Sequence, residues 1–308
     1  MRKILIMIYI ILGVGLFCMD VEANSVEQNS MDVFDMADSL ADLVDNYNSV
    51  MNSDIELNSE WYDENGNMLP ILAYKEQYIK TTIMYEEGGN PVVESSEEVS
   101  EDEYNDIEPY TWCGTGEICW ETNLKKLHII IMGTPGDSTF TNVRFAIVNT
   151  WKKLPKVRSY DNIGIIVAQY SVESFGKAYG YQRYNVSSAP DKKLNIKYEH
   201  LDSNIAYQAS KNEYAVGISQ NLMDSAYNYL QNELYLEAKL YDRRGTYAVA
   251  SYQHAVKVIS FETAMNFTFD TSGMGRVFKW NSSYSNWDNM QGVCLKDNVY
   301  NGDILWEC

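Results

Sequence analysis

The chain has 308 residues and a net charge of −19, with 43 acidic side chains against 24 basic ones. Charge of that sign repels phosphate and argues against a nucleic-acid partner. Only three histidines are present, no two at a metal-ligand spacing, so neither a metal nor another cofactor is expected.

The chain opens with Met1-Arg2-Lys3, an apolar run over 4–17, and then Val21-Glu22-Ala23. This pattern predicts a signal peptide over residues 1–23. The apolar run is shorter than the roughly 20 residues that a membrane-spanning helix needs. A lipoprotein signal at Cys18 is disfavoured by the large Phe17 before it. No later stretch is apolar enough to cross a membrane as a helix, so the expected location is secreted or extracellular, with surface association open.

From Asn24 to Tyr110 there are 22 acidic residues against Lys75 and Lys80, a net of −20. The acidity thus belongs to one segment. Within an acidic N-terminal region, 24–93, Val33, Ala37, Leu40, Val44, Tyr47 and Met51 recur at helical spacing and predict a helix over 30–51. Asn65-Gly66 between apolar flanks predicts a hairpin turn, and 63–67 lacks the spacing of a calcium loop. The run 94–110, ESSEEVSEDEYNDIEPY, reads as an acidic, self-repelling tether.

A β domain is expected over 111–308. Removal of the leader leaves four cysteines, Cys113, Cys119, Cys294 and Cys308, an even number in an exported chain. If 300–302 is a three-residue hairpin loop with Gly302 left-handed, Cys294 faces Cys308 at a non-hydrogen-bonded site, where Cα atoms lie ~4.5 Å apart. Cys113 then pairs with Cys119. A two-residue Asn-Gly loop would set Cys308 against Leu295 instead.

Period-two patterning dominates this part. Leu230, Asn232, Leu234, Leu236, Ala238 and Leu240 share one face of a strand, and Gln231, Glu233, Tyr235, Glu237 and Lys239 share a face read as solvated. Val143, Phe145 and Ile147 repeat the alternation. Many strands with Pro/Gly/Asp turns between them predict a mainly β fold, an antiparallel β-sandwich or barrel-like domain preceded by a small acidic α+β region. The stretches TWKKLPKVRSYDNIGI (150–165), YQHAVKVIS (252–260) and SGMGRVF (272–278) resemble segments of exported, β-rich, functionally uncharacterised proteins of Gram-positive bacteria. The resemblance spans about 126–295 and implies no activity. Arg158 and Asp161 lie close enough in sequence to share a local contact.

Signals for catalysis are sparse. There is no Gly-x-Ser-x-Gly elbow, and 133–139 lacks the Gly-Lys-Ser/Thr ending of a phosphate loop. His254 shares strand parity with Tyr252 and Val256 and reads as a core histidine, as does His128 between apolar neighbours. Glu233 and Glu237 on one strand lie ~13 Å apart at about 3.3 Å per residue, beyond the roughly 5–9.5 Å of a glycosidase pair. A pair assembled across strands from Glu173, Glu199 or Glu262 is where an enzyme reading survives, and the balance is against an enzyme. The positive signal is aromatic: Trp280, Tyr284 and Trp287, in an Asn/Ser-rich stretch, form the candidate ligand-binding loop for a glycan or protein. The leading expectation is an exported binding or surface-interaction protein. The alternatives are a secreted effector or toxin with an acidic N-terminal propeptide, and a hydrolase with a site assembled from separate strands.

Overall fold

The computed structural model describes residues 40–86, 90–113, 118–134, 141–168, 172–186, 189–209, 213–222, 227–240, 247–270, 277–280, 287–288 and 291–296. Two antiparallel sheets face each other. The larger runs β2 (Val92–Val99), β1 (Ile71–Glu86), β4 (Ile118–Gly133), β5 (Asn142–Trp151), β11 (Tyr227–Leu240), β7 (Val172–Val186) and β8 (Ala189–Tyr198), with β3 (Thr111–Cys113) also on β4. The smaller runs β15 (Gln291–Lys296), β12 (Tyr247–His254), β6 (Tyr160–Ala168), β10 (Glu213–Asn221) and β9 (Ile205–Ala209). Each sheet order is open-ended, so the fold is a sandwich and not a barrel.

The core follows from alternation. Leu127, Ile129 and Ile131 of β4, Phe145 and Ile147 of β5, and Leu234 and Leu236 of β11 meet Ile163, Ile165, Val216, Ile218 and Ala250 of the smaller sheet. Inward and outward residues alternate because successive side chains leave a strand on opposite faces. Outside the smaller sheet, β13 (Phe267–Phe269) and β14 (Phe278–Trp280) form a hairpin. Its Phe278 drops onto Gly164 and Gly217, which face each other across β6 and β10. A Cβ at Gly164 would lie 2.5 Å from the Phe278 ring, so this close approach requires glycine.

Several expectations change here. The segment 94–110 is not a tether. Residues 94–99 belong to β2, paired with β1 from Tyr78↔Val99 outward, and Glu101–Asp106 forms helix α2. Ser100 caps α2 by accepting from Glu103 N, Tyr104 is buried beneath it, and Lys152 Nζ donates to the carbonyls of Tyr104, Asn105 and Ile107. β1, from the N-terminal region, runs along β4 from Ile71↔Met132 to Glu86↔Ile118. The acidic region is therefore built into the large sheet. Its helix, α1, is Leu40–Asn52; the predicted residues 30–39 lie outside the described ones.

The outward face of β11 is solvated only toward its end, at Glu237 and Lys239. Gln231, Glu233 and Tyr235 are fully buried, because α1 and residues 53–69 lie over the large sheet. Val50, Ile55, Trp61, Met68 and Leu69 pack there on Ile130, Met132, Ala146, Val148 and Tyr235. Of the disulfides, Cys113–Cys119 is formed, joining directly paired residues of β3 and β4. Cys294 lies on β15 opposite Val249, and Cys308 falls outside the described residues.

His128 is completely buried on the covered face of β4, where the loss of water around the ring lowers its pKa to about 4. Tyr74 OH donates to Glu76, so its oxygen accepts from His128 Nδ1, and Nε2 carries no proton and, among the described residues, has no partner. An unfolded histidine titrates near 6.5. Between that value and 4 the unfolded chain binds the extra proton, so stability from this residue is complete above 6.5 and drains away as pH falls. The loss is expected to reach about 3 kcal/mol below pH 4. Urea unfolding across that range should show a shallower acid slope in His128→Gln than in the parent; equal slopes would contradict this assignment.

Candidate binding cleft on the large sheet

Residues 53–62 form a strap between α1 and β1, and its alternate residues reach down to the sheet. Asp54 pairs with Lys126, Glu56 with Lys193, and Glu60 with Arg144. The Gln231 side chain grips the strap backbone: Oε1 accepts from Glu56 N at 2.8 Å and Nε2 donates to Glu56 O at 3.1 Å. Asn58 Nδ2 donates to Glu233 Oε2 at 2.8 Å, while Asn58 Oδ1 caps the single 3-10 turn Ser59–Trp61. That turn aims Glu60 at β5 and β7, where its carboxylate accepts from Tyr179 OH at 2.9 Å and Tyr181 OH at 2.7 Å.

The chain then reverses through 63–67. Asp63 Oδ1 accepts from the N–H groups of Asn65 and Asn67, and Gly66 takes φ +79°, the left-handed conformation the turn needs. The carboxylate is thus committed to the turn itself.

Beside the docked strap lies an open cleft of about 220 Å³. It is lined by Glu60 from the strap, Arg144 of β5, Glu237 of β11, Lys177 and Tyr179 of β7, Lys197 of β8, and Glu199 and His200 just beyond it. These residues meet because Glu237 sits opposite Arg144, Tyr235 opposite Tyr179, and Tyr181 opposite Lys197 in the sheet register. Arg144 lies 3.3 Å from Glu60 and 3.7 Å from Glu237, and donates to Glu60 O at 2.6 Å. Lys197 pairs with Glu199 at 3.0 Å and stands over the rings of Tyr179 and Tyr181. His200 Nδ1 accepts from Ala178 N at 3.1 Å, which leaves the ring proton on Nε2.

Burial, followed by the nearby carboxylates, raises the hydroxyl pKa of Tyr179 well above its usual value, although Arg144 opposes it. Burial and the hydrogen bond to Glu60 do the same for Tyr181. Both remain protonated donors. Three carboxylates, three cations and an imidazole N–H therefore line one cleft without an excess of either sign. Among the described residues no cluster of three or more acidic, histidine or cysteine side chains is arranged to hold a metal ion.

The aromatic loop is placed differently from the expectation. Trp280 and Trp287 are buried and stacked at 3.9 Å, and Trp280 Nε1 donates to Gln253. They pack with Val249, Ala255 and Phe278 on the outside of the smaller sheet, so neither offers an exposed face. Tyr284 lies outside the described residues. Of the three carboxylates considered for a cross-strand pair, only Glu199 enters the cleft. Glu173 pairs with Lys239, and Glu262 is exposed in the first turn of α3 (Phe261–Ala264). Sequence reasoning missed Glu60, Arg144, Lys177 and Lys197. The available signal was the outward parity of Arg144, Tyr179, Tyr181 and Lys197 on strands whose inward residues are apolar.

No family model and no curated protein matches the chain. Among solved structures it is similar to the C-terminal domain of the antigen I/II polypeptide BspA of Streptococcus agalactiae, at 9% identity and a TM-score of 0.25 over 62% of this chain and 93% of that one. It is also similar to the C-terminal domain of the Streptococcus pyogenes antigen I/II-family protein AspA, at 11% identity and a TM-score of 0.25 over 58% of this chain and 79% of that one. A pore-forming protein gives 10% identity and a TM-score of 0.22 over 62% and 96%. Scores this low establish neither a common fold nor a common function.

Proposed function

We propose that this is an exported surface-interaction protein that binds a neutral, hydroxyl-rich chain, a glycan, in the cleft beside the strap. The observation that carries the reading is the charge-balanced convergence of acceptors (Glu60, Glu199, Glu237) and donors (Arg144, Lys177, Lys197, His200) in one open cleft. Sugar hydroxyls both donate and accept, so such a lining serves them better than a ligand of one charge. Export rests on the apolar leader pattern over 1–23. Among the described residues no helix is long and apolar enough to cross a membrane.

Two features weigh against the alternatives. As a removable propeptide the N-terminal region would have to be drawn out of the large sheet, since β1 is paired with β4 along both lengths. As a hydrolytic pair, Glu60 and Glu237 are both engaged by Arg144, an arrangement that clamps a ligand rather than dividing acid and base roles.

The test is a glycan array followed by titration of the best ligand. Lys177→Ala and Glu237→Gln, both at the cleft rim, are expected to weaken binding about tenfold, equivalent to about 1.4 kcal/mol, with the fold intact. Undiminished affinity in both variants, or no glycan retained by the folded parent, would remove the cleft as the site.

A further inference from the structure

A second cluster of charged groups lies between the sheets, sealed from solvent and unused by the cleft. Lys125 of β4 points inward and its ammonium contacts Asp288 Oδ2; both side chains are essentially unexposed. The Nζ sits over two rings, 5.2 Å from that of Trp151 and 5.1 Å from that of Tyr252. Those rings are fixed, because Tyr252 OH accepts from Trp151 Nε1 at 2.9 Å and from Asn232 Nδ2 at 3.0 Å.

Asp288 is held as firmly. Its N–H donates to His254 O at 2.9 Å, its carbonyl accepts from Gln253, and its Oδ1 accepts from His254 N at 2.8 Å. A second acid, Asp161, meets His254 Nδ1 at 2.7 Å and feels the charges of both Lys125 and Asp288. Burial raises the pKa of Asp161, against the opposing effects of His254 and Lys125. An amine, a carboxyl and a second acid–imidazole pair thus share one dry, aromatic-walled compartment.

We propose that Lys125 and Asp288 condense into an intramolecular amide that ties the large sheet to the smaller one. The reacting forms are the neutral amine and the neutral acid, one proton transfer away from the ion pair. The Nζ lone pair adds to Asp288 Cγ, and the charge that develops on Oδ1 meets the His254 N–H already directed at it. The bond from Cγ to Oδ2 then breaks. That oxygen leaves as water with a proton that Nζ hands it across the existing Nζ–Oδ2 contact, and the N–Cγ bond remains. Amine and acid give amide and water, with no oxidant, reductant or cofactor required. Fixed contact between the reacting groups replaces the translational entropy that a bimolecular condensation loses, and effective molarities for such arrangements reach about 10⁵–10⁸ M. Exclusion of water removes the nucleophile for the reverse reaction.

Asp161 and His254 act as positioning groups: the pair fixes the His254 segment whose N–H holds Asp288 Oδ1. The link would join residues 163 positions apart in sequence, across the core and outside both proposed disulfides.

Reduced, denatured full-length chain is examined by intact mass spectrometry, with tryptic mapping to fix the N-terminus. The parent is expected to weigh one water less than its reduced sequence and to give a branched peptide joining Lys125 to Asp288. Asp288→Asn should lose one ammonia in forming the same link, and Lys125→Met should show no loss. Asp161→Asn should leave a larger unlinked fraction while still unfolding cooperatively, a change that a merely structural Asp161 would not cause. A cooperatively folded parent of full sequence mass, with Lys125 and Asp288 on separate peptides, overturns the proposal. Ammonia loss in Asp288→Asn supports it even if Lys125→Met fails to fold.

Discussion

Trp61→Ala is expected to lower the unfolding free energy by about 3–5 kcal/mol, the range for removing a large aromatic from a packed interior. Trp61 is completely buried although it lies on an irregular segment, and it anchors the strap to the apolar patch formed by Val50, Ile130, Met132, Ala146 and Val148. Its carbonyl also accepts from Leu69 N at 2.8 Å, so the residue closes the turn that follows. The loss is expected in two places at once. Urea unfolding should report the global decrease, and hydrogen exchange should show faster exchange at Glu56 and Leu69, whose amides are held by the docked strap. The cleft should suffer as well, because the adjacent Glu60 supplies one of its three carboxylates. A decrease below about 0.5 kcal/mol, the scale of an ordinary surface change, would mean that the strap is not part of the cooperative unit.

The strap also explains which parts of the structure could be read from sequence. The sandwich was legible because Leu234 and Leu236, or Phe145 and Ile147, alternate with residues of another kind. The turn at Asp63–Asn67 and the Cys113–Cys119 bridge were legible because both are local. The polar outer face of β11 was not, since alternation reports that Gln231, Glu233 and Tyr235 face away from the core but not that another segment covers them. Charge concealed β2 in the same way. Its acidic residues mostly point outward from an edge strand, where charge blocks further strand addition, and in sequence they resemble a solvated run.

Trp280 and Trp287 illustrate the opposite error. Their Asn/Ser-rich setting implied exposure, whereas the hairpin carrying Trp280 is drawn onto the sheet by the slot that Gly164 and Gly217 leave for Phe278. The cleft was least legible, because it takes residues from the strap and four strands that only the sheet order brings together. The charge imbalance, however, acquires a structural meaning. Asp54, Glu56 and Glu60 of the acidic region find Lys126, Lys193 and Arg144 on the nearly neutral remainder.

Arg183→Met is expected to cost about 3–5 kcal/mol at neutral pH, because it strands a buried carboxylate without its counter-charge. Glu233 is fully buried beneath the strap and accepts from Arg183 Nε, Gln231 Nε2, Asn58 Nδ2 and Tyr235 OH. Burial raises its pKa above the ordinary 4.5 even with Arg183 in place, and removing the guanidinium takes away the largest opposing influence. The variant should therefore carry a pH dependence of definite sign. Between 4.5 and the raised folded value, the folded state binds a proton that the unfolded state does not, so stability falls as pH rises through that window. Mild acid should accordingly restore part of what Arg183→Met loses, and the parent should show the same slope over a narrower range. Adding Glu233→Gln to Arg183→Met should recover a large part of the loss and flatten the slope, because the neutral amide keeps a polar partner for Asn58 without a charge to desolvate. Denaturant unfolding of the three variants at neutral and mildly acid pH distinguishes these outcomes. A single variant whose stability does not depend on pH, or a double variant no more stable than Arg183→Met, would show that the charge of Glu233 is not what Arg183 compensates.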